Sequence, residues 1–169
     1  MHYRISRADD KSFTNLHFFT SHFYTTLLKD GPDKVMSWTA KKNINIFEKK
    51  FIFIPINKDL HWSLCVVVNP GAIKNAEEEE EDKDNRVLPC LIFMDSLKLH
   101  KKAIVTKKVR NWLNSEWKRI NHNGSEEVEN RFNRDNFKVY SPTGKLVFYD
   151  ILSSRIGGRM TDSYFSSLS

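Results

Sequence analysis

Residues 51–68, FIFIPINKDLHWSLCVVV, contain two apolar runs that are separated by a short polar turn. Short continuous apolar runs rich in β-branched and aromatic residues are typical of buried strands. The pattern predicts a first strand at 51–55, ended by its proline, and a second strand at 61–68. The second strand opens with His61 and Trp62, a titratable ring followed by the largest of the side chains. A strand with an otherwise plain core pattern therefore begins with a pair suited to chemistry.

The rest of the chain combines helical and strand patterns. Apolar residues at near-helical spacing predict a helix over 12–29, with Ser12 as its N-cap and Gly31–Pro32 at its end. The further predicted elements are a short helical segment at 33–42, a strand at 87–95, an amphipathic helix at 101–120 and a last strand at 146–152. Helices that precede strands and are followed by another helix favour the α+β class.

Length and composition favour one globular domain. The 169 residues suffice for a single core, and 40% apolar with 12% aromatic residues exclude a disordered chain. No apolar run approaches the length of a membrane span, and the first residues lack the apolar stretch of a signal peptide. Because no membrane span is found, no membrane partner is expected. Two cysteines do not make a disulfide framework, so a reducing intracellular compartment is expected.

Charge is unevenly distributed along the chain. The formal net charge is +6, but residues 77–86 carry seven acidic side chains, and without them 25 basic and 14 acidic residues leave +11. The acidic block belongs to a predicted solvated loop at 71–86. A basic body attracts nucleic acid or an acidic protein. Basic residues of the last predicted helix that would meet phosphates are Lys101, Lys102, Lys107, Lys108 and Arg110. A solvated surface is the simpler interpretation, so nucleic acid is not an expected partner.

His61 and Asp95 stand at the outer ends of two predicted strands. If those strands are antiparallel neighbours with aligned ends, residue 61 lies opposite 95, and their Cβ atoms are roughly 5 Å apart. At that distance the carboxylate accepts the Nδ1 proton of the imidazole, which is the orienting half of a nucleophile–His–Asp triad. The alternative remains that His61 caps a loop and Asp95 merely ends a strand.

No nucleophile stands beside this pair in the pattern. On the predicted strands Cys65 lies roughly 13 Å from His61 and Cys90 roughly 16 Å from Asp95, so both are interpreted as core residues. Ser96 and the pair at 153–154 are formal alternatives, but no GxSxG elbow supports them. The six histidines form no HExxH, no Cys-x-x-Cys pair is present, and no glycine-rich phosphate loop occurs. No metal and no cofactor are therefore expected.

Three segments, NIFEKKFIFIPINKDLHWSLCVVVNP, LPCLIFMDSL and VRNWLNSEW, resemble the catalytic domain of the Ulp1/sentrin-specific protease family. Members of this family are cysteine peptidases that remove SUMO. The resemblance covers roughly residues 13–120 and is strongest to the Ulp2-like branch of sentrin-specific proteases 6 and 7, which often carries acidic insertions between the His and Asp strands. It implies a papain-like, Ulp1-type α+β fold with a short central sheet flanked by helices.

The resemblance also implies roles for individual residues. His61 would be the general base that activates a cysteine thiolate, and Asp95 would orient its imidazole. Trp62 would form one wall of the narrow channel that grips the SUMO Gly-Gly tail, with core packing as the alternative. The implied partners are SUMO or SUMO-conjugated proteins. The resemblance also implies a monomeric protein in the nucleus, and an additional cytoplasmic location is left open.

Two pieces of the family pattern are not found in the sequence. The catalytic cysteine of the family lies in a Gln…Asp-Cys-Gly segment that should follow residues like 139–142, where this chain reads TGKLVFYDILSSRIGGRMTDSYFSSLS. The family's opening Trp-Leu-x-Asp segment would precede residue 1. The sequence therefore predicts a partial peptidase domain at 1–145, a divergent segment at 146–169, and no activity. The sequence leaves open whether the chain is a splice variant, a partial gene model or a decayed copy. It also leaves open whether the chain is a pseudo-protease that binds SUMO without cutting it.

Overall fold

The structure is a computed structural model that describes residues 14–74, 89–121 and 130–142. In this part of the chain there are five strands, three α-helices and two short 3₁₀-helices. In chain order the α-helices and strands are β1 (Leu16–Phe18), α1 (Ser21–Asp30), α2 (Pro32–Lys41), β2 (Phe51–Lys58), β3 (His61–Val68), β4 (Cys90–Met94), α3 (Lys102–Asn121) and β5 (Lys138–Tyr140). The 3₁₀-helices are Ile46–Glu48 and Pro70–Lys74.

The five strands form one mixed sheet in the order β1-β2-β3-β4-β5. The central pairs β2–β3 and β3–β4 are antiparallel, whereas β1 and β5 lie parallel to their neighbours at the two edges. The larger of two apolar clusters joins one face of the sheet to the three α-helices, and a smaller one lies on the other face. The predicted α+β class is confirmed, and β3 occupies the centre of the sheet.

The helix predicted over 12–29 is half wrong, because Leu16–Phe18 is a strand and the helix begins only at Ser21. β1 gains its backbone partners from β2, a pairing with residues 35 positions away that helical spacing cannot reveal. Residue 12, the predicted N-cap, lies outside the described residues, as does the strand predicted at 146–152. The predicted helix end at Gly31 is confirmed, and α2 begins directly at Pro32.

The strand predicted to stop at Pro55 continues to Lys58. Pro55 is paired with Leu64 of β3, but β1 covers only Phe51–Phe53 on the other side. Proline has no N–H to donate and is tolerated where one side of a strand has no partner. The extension matters for function, since it carries β2 up to the turn that precedes His61.

The first residues of the loop predicted over 71–86 are packed against the core instead of being solvated. Residues 70–74 form a 3₁₀-helix in which Ile73 is buried against the larger apolar cluster. Residues 75–88, which include the acidic block, lie outside the described residues. The loop therefore starts from a packed turn.

Candidate active site

His61 is positioned by the two-residue turn between β2 and β3. Lys58 and His61 are paired across this turn, and both turn residues, Asp59 and Leu60, have positive φ angles of 55° and 59°. Such values are those of hairpin turns that match the strand twist. Because side chains alternate along a strand, His61 points to the same face as the buried Cys65, and Trp62 points to the opposite face.

His61 and Asp95 are in direct contact. Nε2 of His61 lies 2.6 Å from Oδ1 of Asp95, and the two side chains are only 9% and 4% exposed. The predicted contact is confirmed, although two of its details are wrong. The carboxylate meets Nε2 instead of Nδ1, and the register is shifted by two residues, since Val68 is paired with Cys90.

The shift in register preserves the contact because side chains alternate with a period of two. A shift of two residues leaves His61 and Asp95 on one face of the sheet, whereas a shift of one would have separated them. The contact with Nε2 also leaves Nδ1 as the ring nitrogen available to another group. The family role of the pair stays a prediction.

His100 completes a polar network that the sequence did not reveal. Its backbone N–H donates to Oδ2 of Asp95 at 2.8 Å, and its Nδ1 lies 2.7 Å from Oγ of Ser63. Its Nε2 lies 3.2 Å from the carbonyl oxygen of Lys58, and its ring centroid is 4.9 Å from that of His61. Each oxygen of the Asp95 carboxylate therefore has its own partner.

Hydrogen bonding decides the protonation of Asp95. Burial alone raises the pKa of this carboxyl, but the hydrogen bonds from His61 and from the backbone N–H of His100 outweigh it, and the pKa lies below its ordinary value. The carboxylate is thus ionised at neutral pH. In that state it can stabilise a positive charge that develops on the His61 ring.

We expect the free energy of unfolding to fall in acid because of Asp95. Its pKa is lower in the folded chain than in the unfolded one, so its contribution is complete above about pH 4 and is lost as the pH falls through the folded pKa. Urea unfolding of wild type and Asp95→Asn between about pH 6 and pH 3 would measure it, and the stability difference should shrink below about pH 4. The exposed Asp135→Asn serves as the control; a constant difference for Asp95→Asn would contradict the expectation.

Neither cysteine serves this pair. Cys65 and Cys90 are both buried, and they belong to clusters on opposite faces of the sheet. Burial raises the pKa of the Cys65 thiol to about 12, although nearby Arg110 opposes the effect. A thiol in that state provides almost no thiolate at neutral pH. The interpretation of both cysteines as core residues is confirmed.

Trp62 is 58% exposed, so the alternative that it packs in the core is wrong. Three other large apolar side chains that are near the network residues in sequence are also exposed: Leu60 precedes His61, and Leu97 and Leu99 precede His100. Trp62 is therefore available for contact from outside.

The basic stripe of α3 is smaller than the sequence suggested. Arg110 is buried, and one of its guanidinium nitrogens donates to the carbonyl oxygen of Phe137 at 2.7 Å. Burial lowers its pKa, with Arg134 adding to the effect. Arg110 thus holds α3 to the segment before β5 and does not face phosphates.

Among the described helices, none has both the length and the apolar character that a bilayer crossing requires.

Comparison with known proteins decides the family. The sequence model of the Ulp1 protease family, C-terminal catalytic domain, matches residues 1–141. The chain belongs to the Ulp1 protease family. The resemblance found in the sequence is confirmed, while the division at residue 145 stays a prediction, because residues 146–169 lie outside the described part.

Relatives of the chain are named ubiquitin-like-specific or sentrin-specific proteases. Probable ubiquitin-like-specific protease 2B of Arabidopsis thaliana is 34% identical over 128 residues, which are 69% of this chain and 13% of that protein. Probable ubiquitin-like-specific protease 2A of the same plant is 28% identical over 86% of this chain and 20% of that protein. Sentrin-specific protease 7 of Homo sapiens is 22% identical over 67% of the chain. The chain spans a fifth or less of these relatives.

Solved structures share the fold. A de-sumoylating protease has a TM-score of 0.52 and 23% identity, with 83% of this chain and 51% of that one covered. The SUMO protease Ulp1 with its catalytic cysteine oxidised to a sulfinic acid has a TM-score of 0.51 and 20% identity, over 92% and 64% of the two chains. The expected Ulp1-type fold is confirmed.

Proposed function

We propose that this chain carries the histidine and aspartate of a SUMO-specific cysteine peptidase and does not cleave SUMO by itself. The observation that supports the proposal is the contact of 2.6 Å between His61 and Asp95, within a chain of the Ulp1 protease family. Asp95 holds the imidazole by Nε2, and Nδ1 remains for a thiol.

The reaction that this pair serves in a peptidase starts with proton transfer. His61 takes the proton of a cysteine thiol, and the thiolate attacks the carbonyl carbon of the last SUMO glycine. The C–N bond then breaks as the imidazolium returns its proton to the leaving amine, and water hydrolyses the thioester that remains, which releases SUMO and restores the thiol. Asp95 stabilises the imidazolium between these steps. Cys65 and Cys90 are buried and cannot supply the thiolate, and they are the two cysteines of the 169 residues.

A cleavage assay tests this proposal. The purified chain, at high concentration, is incubated with a SUMO precursor and the products are followed by mass spectrometry. No cleavage is expected from wild type or from His61→Ala. Cleavage by wild type that disappears in His61→Ala would contradict the proposal, because it would require a nucleophile within this chain.

A second candidate function is SUMO binding without cleavage, and the exposure of Trp62 favours it. Only a glycine backbone can pass close to the face of a flat aromatic ring, because any other residue has a side chain in the way. An exposed tryptophan that directly follows His61 in the chain therefore suits a Gly-Gly tail. Catalytic chemistry is not needed for this contact. Binding should therefore survive the loss of the His61 imidazole.

We expect Trp62→Ala to weaken SUMO binding by at least about tenfold, since exposed aromatic anchors dominate many interfaces. Calorimetry with mature SUMO and with SUMO that lacks the Gly-Gly tail separates the contributions. Removing the tail should weaken wild type to the level of Trp62→Ala and should not weaken Trp62→Ala further.

His61→Ala and Phe18→Ala serve as matched controls for this experiment. Phe18 is also an exposed aromatic residue, but it lies on the edge strand β1 and stacks on Phe53. Both variants should keep wild-type affinity. Equal losses in Phe18→Ala and Trp62→Ala, or an affinity that does not depend on the tail, would contradict the assignment of Trp62 to the tail channel.

A further inference from the structure

Three groups that commonly bind metals converge at the end of β3. His61, Asp95 and His100 each direct a ligand atom to one place, and these atoms all lie within 4.8 Å of one another. We propose that these three side chains form a binding site for a divalent transition-metal ion of the zinc class. The proposal does not depend on SUMO binding or cleavage by the chain.

The hydrogen bonds of His100 prepare its ring for a metal. The carbonyl oxygen of Lys58 can only accept, so Nε2 of His100 carries the proton of the neutral ring. Its Nδ1 then carries a lone pair, which accepts a hydrogen bond from the Ser63 hydroxyl. Histidines that bind metals usually donate their second ring N–H to a carbonyl or carboxylate in this way. A metal ion at Nδ1 would take the place of the Ser63 hydroxyl.

The ligand set and its spacing fit a zinc-like ion. Two imidazoles and one ionised carboxylate suit zinc and its neighbours better than magnesium or calcium, which prefer oxygen ligands. Bonds of about 2.0–2.1 Å place tetrahedral ligand atoms about 3.3 Å apart. To bind the ion, the pair at 2.6 Å would open slightly, and the ligand atoms that lie up to 4.8 Å apart would move closer together. His100 is half-buried, so solvent can reach the cluster.

A metal ion would compete with the base function of His61. If the ion occupies Nε2, the proton of the neutral ring resides on Nδ1, and the ring can no longer accept a proton from a thiol. Metal binding and acid–base chemistry would then exclude each other. In any active site where His61 activates a nucleophile, a metal ion bound here would therefore inhibit catalysis.

Titration of the 169-residue chain with Zn²⁺ by calorimetry tests the proposal directly. We expect one ion per chain with a micromolar or tighter Kd, and no displacement by a large excess of Mg²⁺. His100→Ala and Asp95→Asn should each weaken binding by about tenfold or more. His22→Ala removes an exposed histidine of α1 and should leave Kd unchanged.

Ser63→Ala provides a test in the opposite direction. It removes the hydroxyl that competes for Nδ1 of His100, so binding should be unchanged or a few-fold tighter. Circular dichroism checks that each variant is folded. If His100→Ala does not fold, Ser63→Ala and Asp95→Asn still test the proposal. Binding that is absent in wild type, equally weakened in His22→Ala, or weakened about tenfold in Ser63→Ala would overturn the proposal. A Co²⁺ spectrum with thiolate charge-transfer bands would also overturn it, because it would place the ion on a cysteine.

Discussion

Replacement of Glu116 by alanine is expected to lower the free energy of unfolding by about 3–5 kcal/mol, because it leaves buried partners unpaired. Glu116 is completely buried in α3, and its carboxylate accepts hydrogen bonds from three side chains. Thr39 of α2 and the indole N–H of Trp112 donate to Oε1, and the Arg119 guanidinium donates twice to Oε2, at 2.9 and 2.7 Å. The carboxylate therefore links α2 to α3.

Urea denaturation measures this loss, and two further variants define it. Glu116→Gln keeps an oxygen for Thr39 and loses the ion pair with Arg119, so it should fall between wild type and alanine. Glu48→Ala removes an exposed carboxylate that accepts from Asn45, and it should change stability by less than about 0.5 kcal/mol. A loss below about 1 kcal/mol for Glu116→Ala would show that the network does not stabilise the fold.

The parts of the fold with strong local patterns were predictable from the sequence. The strand at 61–68 was predicted to the residue, and the helix predicted at 101–120 is Lys102–Asn121. Two apolar strands on either side of a charged loop favour antiparallel pairing, which was enough to bring His61 to Asp95. The register was wrong by two residues because a long loop, unlike a tight turn, does not fix it.

The parts that depend on distant partners were not predictable. β1 exists because it pairs with β2, and Pro55 stays in its strand because β1 is too short to reach it. His100 joins the site through a bend after Asp95 in which Lys98 has a φ angle of 53°. No local motif marks that bend, so nothing in the local pattern groups His100 with His61. The fit of Glu116 among three donors likewise needs the packed helices.

The second large effect concerns Gly71, which follows the strand that carries His61. A Cβ atom at this position would lie 2.1 Å from the backbone carbonyl oxygen of Phe47. Real Cβ atoms do not approach a backbone oxygen so closely. The backbone at Gly71 or the backbone at Phe47 would therefore have to shift. The ring of Phe47 packs against Trp117 and Phe132 in the core, at centroid distances of 5.0 and 5.8 Å. We therefore expect Gly71→Ala to destabilise the fold by about 3 kcal/mol or more.

Gly31→Ala separates this steric effect from backbone strain. Gly31 has a φ angle of 86°, which favours glycine, but nothing lies within 4 Å of its Cβ position. Its substitution should cost only about 1–3 kcal/mol of strain. Urea denaturation of both variants compares the two mechanisms, and a cost for Gly71→Ala below that for Gly31→Ala would refute the clash. Because Phe47 and Gly71 tie the end of β3 to the helical core, a destabilised Gly71→Ala should also loosen the amides of β3 in hydrogen exchange.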